Sequence, residues 1–286
     1  MQETKTLSPN DHSRDSAGLR YVYPVVSRRA GGLSIGINLN PNNACNWRCI
    51  YCQVPNLRRG SAPDIDLSLL RSELKLFLDD VLTADFFDRF GVKPEYRVIR
   101  DIAISGNGEP TSARNFKEIV SVIGQSMEDF ELDGKINFVL ITNGSLMHKN
   151  DVSEGLRWLN DFGGEVWFKL DRATDTGLAQ INNAGISAER MLANLIKSAE
   201  MCPTWVQTSV FALDGETLSA GEQKAYINFL QTAMQSKGTL KGVLIYGLAR
   251  PSLQPESTRL SVVAPEWIKQ FANQIESLGL AVKISG

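Results

Sequence analysis

The sequence predicts an α/β protein built on a parallel sheet. Three observations carry that expectation. Six short runs rich in Val and Ile, with little charge, lie at 33–39, 101–105, 136–142, 166–171, 205–211 and 243–248. Longer segments with apolar residues at helical spacing separate them. The loops after several runs carry Gly, Asn, Glu or an Arg-Pro pair, as a ligand-facing rim at the C-terminal strand ends would. Repeated strand–helix units leave two architectures open: a doubly wound open sheet, or a barrel-like (βα)6 sheet.

Residues 1–18 show little period and read as a mobile tail. Residues 19–31 form an arm in which Tyr21, Val22, Tyr23, Val25 and Val26 suit a strand, followed by the basic pair Arg28 and Arg29. This tail and arm, 1–31, precede a core domain with a C-terminal extension at 32–286. After the first run, 66–90 reads as a helix with Leu67, Leu70, Leu74, Phe77, Leu78 and Val81 on one face. The second run leads to 115–130, with Phe116, Ile119, Val122, Ile123 and Met127 at the same period. Helical segments at 152–162, 188–201, 220–235 and 265–278 follow the later runs, and Pro265 suits a first turn. A last strand is expected at 280–284, and no internal repeat is visible.

Composition sets the outer limits. A 286-residue chain with 43% apolar and 22% charged residues is neither disordered, collagen-like nor low in complexity. It is long enough to bury a real core as one large domain or two small ones. The formal charge of −2 provides no global basic field of the kind nucleic-acid binders carry. The first residues are polar without an apolar core, and no apolar run approaches a membrane span. A soluble, cytoplasmic protein with no membrane partner is expected.

Cysteine usage narrows the chemistry. Cys45, Cys49 and Cys52 fall within eight residues as C-x3-C-x2-C in the loop after the first run, and Cys202 stands far away. A disulfide framework would scatter more cysteines through a shorter chain. A cubane iron–sulfur cluster usually takes four thiolates, so three leave one iron open to a small molecule. The alternatives are a zinc knuckle or a redox thiol pair. Zinc prefers C-x2-C pairs with a nearby fourth ligand, whereas the histidines here are only His12 and His148. Cys202, ahead of the fifth run and so at the other end of the sheet, reads as a buried structural cysteine.

The triad, with Tyr51 just before its third cysteine, resembles the signature of the radical S-adenosylmethionine (radical SAM) superfamily. Residues 20–53, Ser105–Thr111 (SGNGEPT), Thr142-Asn143-Gly144, Lys169-Leu170-Asp171 and Arg250-Pro251 resemble a branch that includes wyosine-type tRNA-modifying synthetases and uncharacterised relatives. The likeness covers about 20–252. It implies a partial (βα)6 TIM-like barrel with parallel strands, and a [4Fe-4S] cluster on Cys45, Cys49 and Cys52. The open iron would chelate S-adenosyl-L-methionine, which is cleaved reductively to a 5′-deoxyadenosyl radical. A one-electron donor such as flavodoxin or ferredoxin is implied as partner.

Roles for the remaining residues follow from that resemblance. Ser105, Gly106, Asn107, Gly108 and Glu109 stand where the family has its Gly-Gly-Glu loop. Its carbonyls, together with the Glu109 carboxylate, would accept from the methionyl ammonium. Glycine admits close ligand approach, and Asn107 is tolerated because Asn takes positive φ readily; a plain tight turn is the alternative. Tyr51 is expected near the adenine. Thr142, Asn143 and Ser145 are expected at the ribose or carboxylate, or else in an Asx turn. Lys169 and Asp171, read on one side of a strand, would meet the methionyl carboxylate and a ribose hydroxyl, or else form a buried ion pair. Gln207 and Thr208 follow on the fifth run. Arg250 would grip a carboxylate or phosphate, or else lie on the surface. The substrate is open between a small molecule, a protein and RNA. For RNA, Arg28, Arg29, Arg48, Arg58 and Arg59 cluster near the site. Against it, the chain lacks the additional cysteines associated with the wyosine-type enzymes. The non-enzymatic alternative is an iron–sulfur or zinc-binding module.

Overall fold

The computed structural model describes residues 6–8, 17–27 and 30–285. His12, Arg28 and Arg29 lie outside the described residues, as does most of the segment read as a tail. Within that segment Leu7 corrects the reading of a mobile tail. It is buried, and its N–H donates to the Phe90 carbonyl at 2.9 Å.

In chain order the elements are β1 (Val22–Ser27), β2 (Gly32–Ile37), β3 (Ala44–Cys45), β4 (Arg58–Arg59), α1 (Leu67–Thr83), α2 (Phe86–Arg89), β5 (Ile99–Ile104), α3 (Phe116–Asp129), β6 (Asn137–Thr142), α4 (Asn150–Asp161), β7 (Glu165–Lys169), α5 (Asp175–Asn182), α6 (Ala188–Met201), β8 (Thr204–Ser209), β9 (Ala212–Leu213), α7 (Ala220–Met234), β10 (Leu240–Tyr246), β11 (Leu260–Ser261), α8 (Pro265–Glu276) and β12 (Ala281–Ser285). The six predicted core strands are present as β2, β5, β6, β7, β8 and β10, and the expected last strand is β12. The helix read over 66–90 is two helices, because Ala84 is extended and ends α1. Asp66 caps its start, accepting from the Leu69 N–H at 3.0 Å. Helix α5 was not foreseen: eight residues that include Gly177 give little periodic signal.

The main sheet has eight strands in the order β1-β2-β5-β6-β7-β8-β10-β12. β1 is antiparallel to β2, and every other pair is parallel. The order rises along the chain without a reversal, whereas a doubly wound sheet needs a switch point. Inner-face residues of β1, β2, β5, β6, β7, β8 and β10 line one common cavity, which a flat sheet cannot arrange. The architecture is therefore a partial (βα)6 barrel, opened between β1 and β12.

Side-chain alternation divides each strand between helices and cavity. In β2, Leu33, Ile35 and Ile37 are fully buried in the core, while Ser34 faces the cavity. In β8, Val206 and Thr208 face the helices, the Thr208 hydroxyl meeting the Tyr226 hydroxyl of α7 at 2.5 Å. Gln207 and Ser209 face the cavity instead. Each fully buried Leu, Ile or Phe of the helix layer contributes about 1.5–3 kcal/mol. A buried carboxylate fixes the arm: Glu73 of α1 accepts from the backbone N–H groups of Arg20 and Tyr21, each at 2.8 Å. No described helix is long and apolar enough to cross a membrane.

Candidate active site

The three clustered cysteines open onto the cavity at the C-terminal end of the sheet, a space of about 360 Å³. The loop that carries them is braced from two sides. From the end of α5, the Asn182 and Ile181 carbonyls accept from the Arg48 and Ile50 N–H groups at 3.1 and 2.9 Å. From the segment after β10, the Ser252 hydroxyl donates to the Ile50 carbonyl at 2.7 Å, and the Leu253 N–H to the Cys52 carbonyl at 2.9 Å. Below the loop, Ile50 and Tyr51 pack with Ile181 and Phe211 in a small apolar cluster.

The arginines read as an RNA-facing set are partly spent on this bracing. Arg48 makes a two-pronged ion pair with Glu256, at 2.9 and 2.8 Å. Arg59 donates to the Asn46 and Asn183 carbonyls. Arg58 is exposed.

Two of the sulfurs accept hydrogen bonds. The Trp47 N–H donates to Cys45 Sγ at 3.4 Å, and Asn182 Nδ2 to Cys49 Sγ at 3.2 Å. Burial pushes both thiols up to about 12, so metal binding at neutral pH must displace their protons. N–H donors aimed at sulfur on the wall of one shared cavity fit thiolate ligation of an iron–sulfur cluster. Among the described residues no three Cys, His, Asp or Glu side chains are gathered around a single-ion position. A cubane takes one thiolate per iron, with its ligands spread around the cluster.

The Gly106–Gly108 turn packs against the loop that follows β2. A Cβ on Gly106 would lie 2.3 Å from Asn38 Oδ1, and one on Gly108 1.9 Å from the Ala44 carbonyl. Both glycines are thus required by the protein's own packing, against Asn38 and the Ala44 carbonyl. Asn107 is not among the residues with positive φ, which corrects the reason given for its tolerance. Its N–H and side-chain amide instead donate to Asn38 Oδ1 at 3.0 Å and Asn43 Oδ1 at 2.7 Å. Glu109 is 2% exposed. Its Oε1 accepts from the Thr111 N–H at 3.1 Å and from the Thr111 and Thr142 hydroxyls, each at 2.6 Å. Oε2 accepts from the Asn143 N–H at 2.7 Å. Burial raises this carboxyl above its ordinary value, against the pull of those donors. Its main work is to tie the loop to the end of β6, while Oε2 keeps further acceptor capacity.

Asn143 and Ser145 form the Asx turn that was the alternative for them: Asn143 Oδ1 accepts from the Ser145 N–H at 3.0 Å. Asn46 joins this turn to the cysteine loop, donating to the Ser145 hydroxyl at 2.8 Å and accepting from Asn143 Nδ2 at 2.8 Å. Ser105 lines the cavity, its hydroxyl 3.0 Å from the Tyr23 hydroxyl.

Lys169 and Asp171 do not share a strand face. β7 ends at Lys169, so strand alternation does not reach Asp171. Lys169 lines the cavity, donating to the Tyr246 hydroxyl at 2.7 Å with its ammonium 5.0 Å from the Tyr51 ring centre. Burial opposes its charge, but Tyr246, Asp171 and Cys49 outweigh this and raise its pKa. Asp171 is 1% exposed and bound to the protein on both oxygens, which corrects its assignment to a ribose hydroxyl. One of its donors is the Tyr51 hydroxyl, at 2.5 Å. Gln207 and Arg250 line the cavity, whereas Thr208 does not. Cys202 is 1% exposed at the start of β8, as expected of a structural cysteine, and its thiol donates to the Gly164 carbonyl at 3.4 Å.

No protein-family model matches the chain. Among curated proteins it is 30% identical over 158 residues to the GTPase Obg of Brachyspira hyodysenteriae, covering 54% of this chain and 20% of that protein. It is 29% identical over 177 residues to a UPF0026 protein of Synechocystis sp., covering 61% of this chain and 57% of that protein. The chain therefore spans between a fifth and somewhat over half of the length of these relatives. Among solved structures it resembles a radical SAM methyltransferase from Sphaerobacter thermophilus, with TM-score 0.54 and 12% identity over 89% of this chain and 66% of that one. It also resembles TYW1 with a lysine-pyruvate adduct bound, with TM-score 0.53 and 14% identity over 85% of this chain and 73% of that one. At these identities the likeness is one of fold. The fold is one that these radical SAM structures share.

Proposed function

We propose that the chain is a radical SAM enzyme acting on a small molecule, with one [4Fe-4S] cluster on Cys45, Cys49 and Cys52 and S-adenosyl-L-methionine at the open iron. The observation that carries this reading is convergence. Three thiols, the Gly106–Gly108 turn and the Lys169 ammonium, which come from three separate parts of the chain, face one cavity.

When bound, the cluster supplies the electron that splits the sulfonium C–S bond into methionine and a 5′-deoxyadenosyl radical. The chain's own residues bind and orient. Carbonyls of the 106–108 turn accept from the methionyl ammonium, and Lys169 holds the methionyl carboxylate. The ribose role read for Asp171 passes to Gln207 and to the Ser209 hydroxyl, which is fully buried and without a partner. Trp47, Val139 and Ile141 supply apolar wall that excludes water from a reactive species. A one-electron donor such as flavodoxin or ferredoxin is the partner this reading requires.

The small-molecule substrate is favoured over RNA because Arg48 and Arg59 are engaged in contacts within the chain, with Glu256 and with the Asn46 and Asn183 carbonyls. A non-catalytic iron–sulfur or zinc module would leave the cavity and its lysine without a purpose.

The test is anaerobic reconstitution with iron and sulfide, a one-electron reductant and S-adenosyl-L-methionine, with Cys49→Ala as control. Protein holding about four irons per chain is expected to release 5′-deoxyadenosine, and the control none. Fully loaded protein releasing no more than the control overturns the reading.

A further inference from the structure

Between Cys49 and Asp171 stands Asn182, the last residue of α5, with no solvent exposure. Its amide nitrogen donates to Cys49 Sγ at 3.2 Å and to Asp171 Oδ2 at 2.8 Å. Both amide hydrogens are used. The carboxylate fixes this orientation, because a flipped amide would present oxygen to oxygen. Its Oδ1 is buried and has no partner.

An unsatisfied buried carbonyl is costly. A residue placed only for stability would find partners for both halves of its amide. Here the donor half is committed to a sulfur and a carboxylate, and the acceptor half to nothing. A neutral thiol is a weak acceptor, and a charged sulfur is a strong one. The arrangement therefore gains strength as negative charge builds on Cys49.

Asp171 exerts the opposite pull. Its carboxylate sits one amide away from that sulfur, in a part of the protein with little water, where like charges repel strongly. Three donors hold it there: the Tyr51 hydroxyl at 2.5 Å, Asn182, and the Ser209 N–H at 2.9 Å.

We propose that Asn182 and Asp171 are a positioning pair that sets the reduction potential of the cluster through Cys49. The amide favours the reduced state by donating to sulfur, and the carboxylate disfavours it by charge. The pair also ties this sulfur to Tyr51, so one carboxylate orients two members of the cysteine motif. The proposal rests on the cluster reading given above. Hydrogen bonds to sulfur and local charge are established levers on such potentials.

Two near-isosteric variants separate the effects. Asn182→Leu removes the donor while filling its space, and Asp171→Asn removes the charge. Reconstituted wild type and both variants, at equal iron content, are titrated by reductant and followed by electron paramagnetic resonance. The midpoint potential is expected to move negative in Asn182→Leu and positive in Asp171→Asn. A merely structural role would move both the same way or neither, and either result overturns the proposal. Should Asn182→Leu fail to retain iron, Asp171→Asn decides alone: a positive shift supports the pair, and no shift or a negative one overturns it. Wild type that takes up no cluster overturns the function reading as well, whereas a loaded wild type with unmoved variants overturns only this inference.

Discussion

Cys49 and Cys202 lie at opposite ends of the same sheet, and burial pushes both thiols up to about 12. Their hydrogen bonds run in opposite directions. Cys202 donates its S–H to the Gly164 carbonyl, while Cys49 accepts from the Asn182 amide. The first arrangement suits a thiol that stays protonated, and the second a sulfur that carries charge. Burial alone does not tell these two cysteines apart; the direction of their hydrogen bonds does.

The largest effect expected is an all-or-none split between the two ends. Cys49→Ala should abolish retained iron and sulfide in the reconstituted protein, while Cys202→Ala should keep both at the wild-type level. Iron loss in both variants would erase the contrast. A second pair separates the ends by packing. Gly108→Ala would place a methyl 1.9 Å from the Ala44 carbonyl beneath the cysteine loop, so thermal unfolding should report a loss of about 3 kcal/mol. Gly163, near Cys202, has φ +69 and open space around its would-be Cβ. Gly163→Ala should lose only about 1 kcal/mol, from left-handed strain alone.

The cysteine spacing, Tyr51 and the Gly-Asn-Gly-Glu-Pro turn were legible because each is a local pattern. The six core strands were legible because their outer faces are Val, Ile and Leu in short runs. The bracing of the loop was not. Glu256 meets Arg48 across 208 positions, and Ser252 meets Ile50 across 202. No local pattern marks either partner. Asn182 sits at the end of a helix too short to read, and Asp171 was misplaced because the strand stops two residues before it. Ser209 was passed over because a serine at a strand end carries no signal until the fold shows which face is the cavity.

Two smaller effects sharpen the contrast. Burial raises the Cys202 thiol from about 9 to about 12, so the stability tied to its neutral form is complete below pH 9 and fades as pH rises towards 12. Wild type should therefore lose stability relative to Cys202→Ala between pH 9 and 12 in chemical denaturation; parallel curves would contradict a buried neutral thiol. Ser252→Ala, which removes the hydroxyl bond to the Ile50 carbonyl, should lower stability by about 1 kcal/mol. It should also hasten iron loss to a chelator a few-fold. Unchanged iron retention would show that the segment after β10 does not brace the loop.

The account stands on three sulfurs leaving one coordination place for a small molecule. The direct measurement is the electron paramagnetic resonance spectrum of the reduced, four-iron protein, recorded with and without S-adenosyl-L-methionine. A spectrum that changes on adding the ligand is the expected result. Identical spectra from fully loaded protein at saturating ligand would contradict it.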